Sequence, residues 1–396
     1  MTTTDSNQQN AAKRVGPDTL DVRFAATMTG GVSLAIWMGG VARELNLLEQ
    51  ASFDREHLAA DQPLPPTDAA TAPDGAHPSR AEQSRALYLR LLELLDLTAN
   101  TDVLSGTSAG GINAALLGFT RSNGLDLGIL RNVWLETGSF ERLLREPDEK
   151  SPPSLLQGDA VLLDGLNTGI TKLADEVTNG PVDGQHTTVF ITTTLLAGET
   201  SRFTDDFGTL VQDVEHRGLF RFGENDLRDE DNQPAFALAA RCSASYPAAF
   251  EPAFVPFATE VDKFHPAMGR FSNITRDQFV ADGGVLMNKP IRPLIDEVFT
   301  RTADRQVRRV LLYVVPLTGD APDAKATPPA DEFKKPPTFA GALAKDLGAL
   351  MNQSISAELR AIRQHNDAVE GMAATRMRVA ELGAFAASDA GILEPP

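Results

Sequence analysis

The chain has 396 residues, of which 42% are hydrophobic and 23% are charged, and its formal net charge is −18. This composition excludes a disordered chain and is sufficient to bury one large core or several smaller ones. The acidic balance excludes general nucleic-acid binding, which needs clustered Lys and Arg, and gives no overall attraction to anionic membranes.

The termini and the cysteine content indicate the cellular setting. Residues 1–19 are predicted to form a flexible polar tail without the hydrophobic segment of a secretory signal. No apolar stretch approaches the roughly 20 residues that span a bilayer, and a single cysteine, Cys242, excludes an intrachain disulfide. We therefore expect a cytoplasmic protein. Residues 391–396 follow a predicted helix without a closing element, as in a truncated chain.

Short apolar and β-branched runs predict the strands of an α/β protein. In chain order the predicted strands are 22–27, 102–105, 187–196, one or two strands within 201–222, 279–281 and 310–315. Helical periodicity appears between them. The segment 32–49 is predicted to begin as a short strand and turn and to end as a helix. Further helices are predicted at 84–96, 112–119, 236–245 and 338–385. This alternation predicts a mostly parallel sheet covered on both faces.

Three further segments are predicted to lie outside the sheet. Residues 60–80 are rich in Pro, Ala and Asp and predict a surface loop. Residues 121–186 are mostly helix and loop, and we interpret them as a helical insertion or cap. Residues 317–396 predict a Pro-rich loop followed by a C-terminal helical segment.

A Gly-x-Ser-x-Gly run, Gly106-Thr107-Ser108-Ala109-Gly110, stands between a predicted strand and a predicted helix. In a nucleophile elbow the serine occupies a tight, strained turn, and the outer glycines remove side chains that would collide across it. The N–H groups that begin the helix face the developing oxyanion. Ser108 is therefore a candidate nucleophile, and the alternative is a simple helix N-cap at Thr107 or Ser108.

A second glycine turn, Gly30-Gly31, also follows a predicted strand and precedes a helix. Adjacent glycines let the backbone approach a ligand and present N–H groups to it. The run from Gly30 to Ser33 has neither the dinucleotide-binding spacing nor a P-loop Gly-Lys-Ser/Thr. Oxyanion binding and a purely structural turn both stay open on this pattern alone.

A serine nucleophile needs a base within hydrogen-bonding reach. Asp282 ends a predicted strand and precedes Gly283-Gly284, so we expect it at the carboxyl end of a parallel strand, where α/β sheets bind ligands. A free Asp has a pKa of about 3.9 and needs desolvation or a shared hydrogen bond to act as a base. The alternatives are an Asp-Gly turn without catalysis and a triad with His365, which is predicted on an exposed helix face.

Taken together, these blocks resemble the patatin-like phospholipases. The family's blocks occur in order: a glycine-rich turn at 30–35, the serine block at 106–111, an Ala/Ser-rich segment at 239–252 and the aspartate block at 282–284. The resemblance implies a three-layer α/β/α fold with a mostly parallel central sheet, as a catalytic domain over residues 20–316.

The resemblance also implies a function. It predicts a lipid acyl hydrolase of the phospholipase A or esterase type, with a lipid or ester as its partner and with Ser108 and Asp282 as a catalytic dyad. Backbone N–H groups of Gly30, Gly31 and Val32 would form the oxyanion hole. No metal or cofactor is implied, and the sequence shows no clustered His, Cys and Asp ligand set. Peripheral membrane contact through apolar residues of 121–186 is a further expectation.

The glycine-rich turn departs from the family pattern Gly-Gly-Gly-x-Arg-Gly, because Val32 replaces the third glycine and Leu34 the arginine. The departure weakens phosphate-headgroup binding by this turn and suggests a subgroup with its own headgroup or acyl preference. Two alternatives stay open: a lipid-binding or scaffold protein that keeps the fold without turnover, and a Ser–His–Asp hydrolase that uses His365.

Overall fold

We describe the protein from a computed structural model of the chain. The structure describes residues 14–31, 35–67, 78–175, 186–204, 206–303, 307–316, 338–351 and 355–389. The predicted Pro-rich loop at 317–337, most of the predicted tail and parts of the segments predicted at 60–80 and 121–186 lie outside the described residues. Two compact units are present, Met1–Gln353 and Ser354–Pro396.

A seven-stranded sheet organises the described part of the first unit. Its strands are β1 (Leu20–Met28), β2 (Leu97–Gly106), β3 (Thr188–Thr204), β4 (Leu210–Gly223), β5 (Ala253–Val255), β6 (Gln278–Asp282) and β7 (Val307–Val314). The predicted strand at 102–105 is longer than expected, because Leu97 already pairs with Leu20 of β1. Polar residues at 98, 100 and 101 hide this extension from a search for apolar runs.

Helices cover this sheet. They are α1 (Ala35–His57), α2 (Arg80–Leu94), α3 (Ala109–Asn123), α4 (Leu130–Thr137), α5 (Phe140–Leu143), α6 (Asp164–Ala174), α7 (Glu224–Arg228), α8 (Gln233–Ser243), α9 (Gly284–Met287), α10 (Ile291–Thr300), α11 (Phe339–Met351) and α12 (Ser356–Asp389). A π-helical turn, Gly158–Leu163, leads into α6. The helix predicted from Ser84 begins earlier, at Arg80, because Ser79 and Glu82 form a capping box.

The strand order is β5-β6-β3-β2-β1-β7, with β4 on the other edge of β3. The strands β3, β2, β1 and β7 are parallel to one another, and β4, β5 and β6 add antiparallel pairs. This arrangement confirms the predicted α/β class with a mostly parallel central sheet.

Adjacent residues of β2 show that helices lie on both faces of the sheet. A Cβ placed on Gly118 of α3 would lie 3.3 Å from the Leu104 side chain. The neighbouring Ser105 donates to the Pro290 carbonyl, directly before α10, at 2.8 Å. Because successive side chains of a strand point to opposite faces, α3 and α10 cover opposite faces of β2, which makes the arrangement three-layered.

The prediction that Asp282 ends a parallel strand is wrong. β6 pairs antiparallel with β3 through Thr193↔Asp282, whereas β2 pairs parallel with β3 through Gly106↔Ile191. β4 occupies the opposite edge of β3 over this whole stretch. β2 and β6 therefore lie end to end along one edge of β3, and their carboxyl ends meet. The sequence of a five-residue strand does not indicate whether it runs parallel or antiparallel to its neighbour. Only the strand pairing in the folded protein decides this.

The segment interpreted as an insertion contributes to the main core. Residues 121–123 belong to α3, and Leu127, Leu163 and Ile170 are almost completely buried in the cluster that also contains α3 and α8. α6 packs against α8, and α4 packs against α1. Within its described residues, this region is thus part of the main core, and its role as a cap stays a prediction.

The predicted C-terminal helices are present as α11 and α12. α11 belongs to the first unit, and the 34-residue α12 makes up the described part of the second. Nearly all side chains of α12 whose burial is described are exposed. Among the described residues, the structure has no helix of the length and apolarity needed to cross a membrane.

Candidate active site

Ser108 lies in the turn between β2 and α3. Its backbone angles, φ 56° and ψ −129°, are strained for a residue other than glycine. The Ser108 side chain makes no capping hydrogen bond to α3, and the Thr107 hydroxyl donates instead to the Met287 carbonyl at 2.8 Å. The interpretation of these residues as a simple helix cap is therefore wrong, and the strained turn has the form of a nucleophile elbow.

Close backbone approaches require the glycines around Ser108. A Cβ on Gly106 would lie 2.3 Å from the Gly110 carbonyl oxygen, and a Cβ on Gly110 would lie 2.3 Å from the Met28 carbonyl oxygen. Real Cβ atoms do not approach other atoms so closely. A side chain at Gly106 would collide within the turn, and one at Gly110 would collide with the end of β1, so the two glycines set the tightness of the turn.

Asp282 is fully buried at the end of β6, where it faces the end of β2 across the edge of β3. Its Oδ1 accepts the Gly284 N–H at 2.7 Å. Its Oδ2 is buried without a hydrogen bond of regular geometry to any described residue. The Ser108 hydroxyl interacts with this carboxyl and lowers its pKa.

Burial sets the protonation of Asp282. It raises the pKa of the carboxyl, while the Ser108 hydroxyl and the Gly284 N–H lower it, and the balance leaves the pKa at about 7. The ordinary value for Asp is about 3.9. A carboxyl with a pKa near 7 and a free oxygen beside a hydroxyl can accept a proton at neutral pH.

Thr192 of β3 occupies the junction between the ends of β2 and β6. The Thr192 hydroxyl oxygen lies 2.6 Å from the Thr107 hydroxyl oxygen. A Cβ on Gly283 would lie 2.2 Å from the Thr192 hydroxyl oxygen. Gly283 is therefore required for this close approach. One residue in the middle of the sheet thus sets the spacing between the elbow and the aspartate loop.

The Gly30-Gly31 turn lies against the candidate nucleophile. A Cβ on Gly30 would lie 3.1 Å from Ser108 Cβ, and the Gly30 N–H donates to Asn288 Oδ1 at 2.8 Å. The Gly31 N–H has no acceptor among the described residues, and Val32 lies outside them. The structure describes two of the predicted oxyanion donors, Gly30 and Gly31. Of these two, only Gly31 has an N–H that is available to a ligand.

Asn288 is a site residue to which the sequence pattern assigned no role. It belongs to the segment after Gly284, which hydrogen-bonds to the elbow on both sides of Asn288: the Thr107 hydroxyl binds the Met287 carbonyl, and the Ser105 hydroxyl binds the Pro290 carbonyl. The aspartate loop therefore holds the glycine turn and the elbow together. The available signal was an asparagine within the apolar run that follows Asp282.

Ser243, at the end of α8, was also missed as a site residue. Its hydroxyl accepts the Ser108 N–H at 2.7 Å, and its carbonyl accepts the Gly283 N–H at 3.4 Å. Two residues later, the Ser245 carbonyl accepts the Asp282 N–H at 2.8 Å. In the sequence, the Ala/Ser-rich segment stands out only as a family block, whereas in the structure its hydrogen bonds hold both Ser108 and the Asp282 loop.

The alternative triad requires a histidine bonded to Asp282, and the sequence offers His365 for that role. This residue lies exposed on α12, in the second unit. Neither carboxylate oxygen of Asp282 accepts a hydrogen bond from a histidine among the described residues. Within the same residues, no group of three or more His, Cys, Asp or Glu side chains could hold a metal ion.

A second cluster of charged groups joins α8 to the π-helical turn. Arg241 is fully buried, and its Nε lies 3.0 Å from Asp159 Oδ1. Glu251 accepts the N–H groups of Gly158 and Asp159 at 2.8 and 2.9 Å, and Arg145 Nη2 lies 3.0 Å from it. Burial raises the pKa of Glu251, but these donors and the nearby charges lower it to about 2. This carboxylate is an anchor, held ionised at neutral pH.

The chain is similar to known proteins in two ways, through one long relative and through a family model. The chain is 49% identical over 387 residues to an uncharacterized membrane protein of Mycobacterium tuberculosis, an alignment that covers 95% of this chain and 35% of that protein. The chain thus spans about a third of the length of this curated relative. No solved structure matches the chain. The family model described as patatin-like phospholipase matches residues 85–295, a range that contains both the elbow and Asp282, and the chain belongs to this family of lipid acyl hydrolases.

Proposed function

We propose that the protein hydrolyses carboxylic esters of lipids through a Ser108–Asp282 dyad. The observation that carries the proposal is the meeting of two strand ends on β3, which brings a strained serine and a fully buried carboxyl together. The pKa of that carboxyl is raised to about 7. Family membership supports the hydrolase class, and the dyad is our assignment within it.

The dyad accounts for the proton at each step. Asp282 Oδ2 takes the proton of Ser108 Oγ, and Oγ forms a bond to the ester carbonyl carbon. When the tetrahedral intermediate collapses, the leaving alcohol takes the proton from Asp282, and the acyl group stays on Oγ. Water then gives a proton to Asp282 and its oxygen attacks the acyl carbon. The fatty acid leaves as Ser108 Oγ recovers the proton.

Backbone N–H groups stabilise the negative oxygen in this scheme. Gly31 supplies the N–H that is available in the glycine turn, and Ala109 supplies the N–H that follows the nucleophile at the start of α3. Gly30 adds a donor only if Asn288 releases its N–H. Val32, a predicted third donor, keeps that role as a prediction. Loss of one such donor, as in Gly31→Pro, should lower kcat by about 10²–10³.

The lipid partner and the cellular location are also part of the proposal. The relative from Mycobacterium tuberculosis is described as a membrane protein, which supports work at or near a membrane. A cytoplasmic location and peripheral membrane contact through 121–186 stay predictions. Leu144 and Leu155 are exposed apolar residues of that region and are available for such contact.

The deciding experiment measures fatty acid released from mixed micelles of phospholipid and neutral lipid. We expect turnover by the wild type and by the control variant Ser201→Ala, which changes an exposed serine of β3, and none by Ser108→Ala. A fluorophosphonate probe should label the wild type and not Ser108→Ala. If the wild type releases no fatty acid and takes no label, the fold is kept for binding and the hydrolase proposal is wrong.

A further inference from the structure

The first turn of α1 exposes apolar side chains next to the candidate active site. Ile36 is 54% exposed and Trp37 is 51% exposed. Gly40, one turn later on the exposed side, has open space beside it. The exposed part of this turn therefore carries no charge, on a chain whose net charge is −18. We call Ile36, Trp37 and Gly40 the α1 patch.

Hydrogen bonds place the α1 patch beside Ser108. The amide nitrogen of Asn113 donates to the Ala35 carbonyl and to the Ala109 carbonyl, both at 3.0 Å. Ala35 directly precedes the patch, and Ala109 directly follows Ser108. The starts of α1 and α3 are thus joined through a single side chain, and the patch lies at the end of α1 that is nearest the nucleophile.

The reacting groups lie below the surface. Ser108 is 4% exposed and Asp282 is fully buried. An ester must therefore leave its surroundings to reach Ser108, and a lipid in an aggregate can do so only if the edge of the site lies against that aggregate. Trp and Ile are suited to this contact, because an indole ring favours the interface between water and hydrocarbon.

We infer that the α1 patch is the surface by which the protein docks on a zwitterionic lipid bilayer, an inference that rests on the proposed function. The strongly acidic chain gains nothing from anionic headgroups, and the patch itself is uncharged, so apolar burial supplies the attraction. The nearest charged side chains of α1 are already engaged: Arg43 with Asp126 at 2.9 Å, and Glu44 with the Tyr88 hydroxyl at 2.6 Å.

The two tryptophans make the test direct, since the chain has only Trp37 and Trp134. Trp134 is partly buried and donates to Asn113 Oδ1 at 3.3 Å. In a Trp134→Phe protein, emission should come from Trp37 and shift to the blue when phosphatidylcholine vesicles are added. Sedimentation should show that Trp37→Ala lowers vesicle binding about tenfold. Leu94→Ser, which changes an 82% exposed residue of α2, is the matched control and should bind normally.

Each outcome bears on the docking surface separately from the chemistry. Trp37→Ala should hydrolyse a soluble short-chain ester at the wild-type rate and lose activity only on vesicles. The inference is overturned if Trp37 emission does not change, if Leu94→Ser loses as much binding as Trp37→Ala, or if phosphatidylglycerol vesicles bind more tightly than phosphatidylcholine. If Trp37 emission shifts to the blue but the protein cleaves no ester, the docking surface is supported and the proposed hydrolase function is wrong.

Discussion

Asp282 and Glu251 are two carboxylates of the same unit with opposite surroundings. Asp282 accepts one backbone N–H, interacts with one hydroxyl and has no cation that affects its pKa. Glu251 accepts two backbone N–H groups and the Ser154 hydroxyl, and it lies beside Arg145 and Arg241. Burial raises the pKa of both, yet Asp282 ends at about 7 and Glu251 at about 2.

The difference separates a reactive carboxyl from an anchoring one. A buried carboxylate with enough donors stays charged and holds its neighbours in place. A buried carboxylate with too few donors is costly in its charged form and accepts a proton readily. In the proposed dyad, Asp282 serves chemistry at the expense of stability, whereas Glu251 serves stability.

The largest expected difference is in turnover. Asp282→Asn removes the proposed base and should lower kcat by about 10²–10⁴. Glu251→Gln changes an anchor that is bound to Gly158, Asp159 and Ser154 and should alter kcat by less than about threefold. Steady-state hydrolysis of a soluble ester measures both. Equal losses in the two variants would contradict the separation of roles.

The pH dependence of turnover should follow Asp282. The proposed base must be ionised to accept a proton, and the pKa of Asp282 is raised to about 7. The ionised fraction, and with it kcat/KM, should fall about tenfold for each pH unit below 7, to about 1% at pH 5. A rate profile measured at fixed ionic strength checks this, with the same ester in buffers from pH 5 to 9. A midpoint near pH 4 would indicate an ordinary exposed carboxyl.

Stability should respond to the two residues in opposite directions. The folded pKa of Asp282 lies above its unfolded value, so ionisation destabilises the fold as the pH rises from about 4 to 7. Asp282→Asn should therefore raise the melting temperature at pH 8. The folded pKa of Glu251 lies below its unfolded value, so its contribution is present above about pH 4.5 and is lost as the pH falls toward 2.

Glu251→Gln should accordingly lower the free energy of unfolding by about 2 kcal/mol at pH 8, because it weakens contacts to buried donors and cations. Thermal unfolding followed by circular dichroism at pH 8 and pH 5 measures both variants. A destabilised Asp282→Asn protein would mean that the carboxyl is held by partners other than Ser108 and Gly284.

A smaller effect is expected at Asn288, which positions the glycine turn. Asn288→Ala removes the acceptor of the Gly30 N–H. This change should lower kcat about tenfold, with little change in KM, because the glycine turn is no longer held in position relative to Ser108. Asn273→Ala is the matched control, since Asn273 accepts the Leu219 N–H at 2.9 Å in another loop. Similar kinetics for the two variants would show that Asn288 has no special role.

The smallest effect is expected at His365. His365→Ala should change kcat/KM by less than about twofold, because no described histidine bonds to Asp282. Its kinetics on the soluble ester give the result directly. A loss of a hundredfold or more would restore the Ser–His–Asp alternative and remove Asp282 from the role of base.

The sequence by itself determined the α/β class, most of the strands and the position of the elbow. These features are local: a run of β-branched residues predicts a strand, and Gly106 and Gly110 are needed for a turn that spans a few residues. Ser108 and Asp282 could be named because each lies in a short motif with its own backbone requirement. The family resemblance then ordered these motifs along the chain.

Only the tertiary structure decided how the motifs meet. The direction of β6, the end-to-end alignment of β2 and β6 on β3, and the bond from Gly30 to Asn288 all join residues that are far apart in the chain. The pKa values of Asp282 and Glu251 likewise depend on which donors folding brings to each carboxylate. Local patterns carry no information on such partners, because hydrogen-bonding and desolvation are set by neighbours in space.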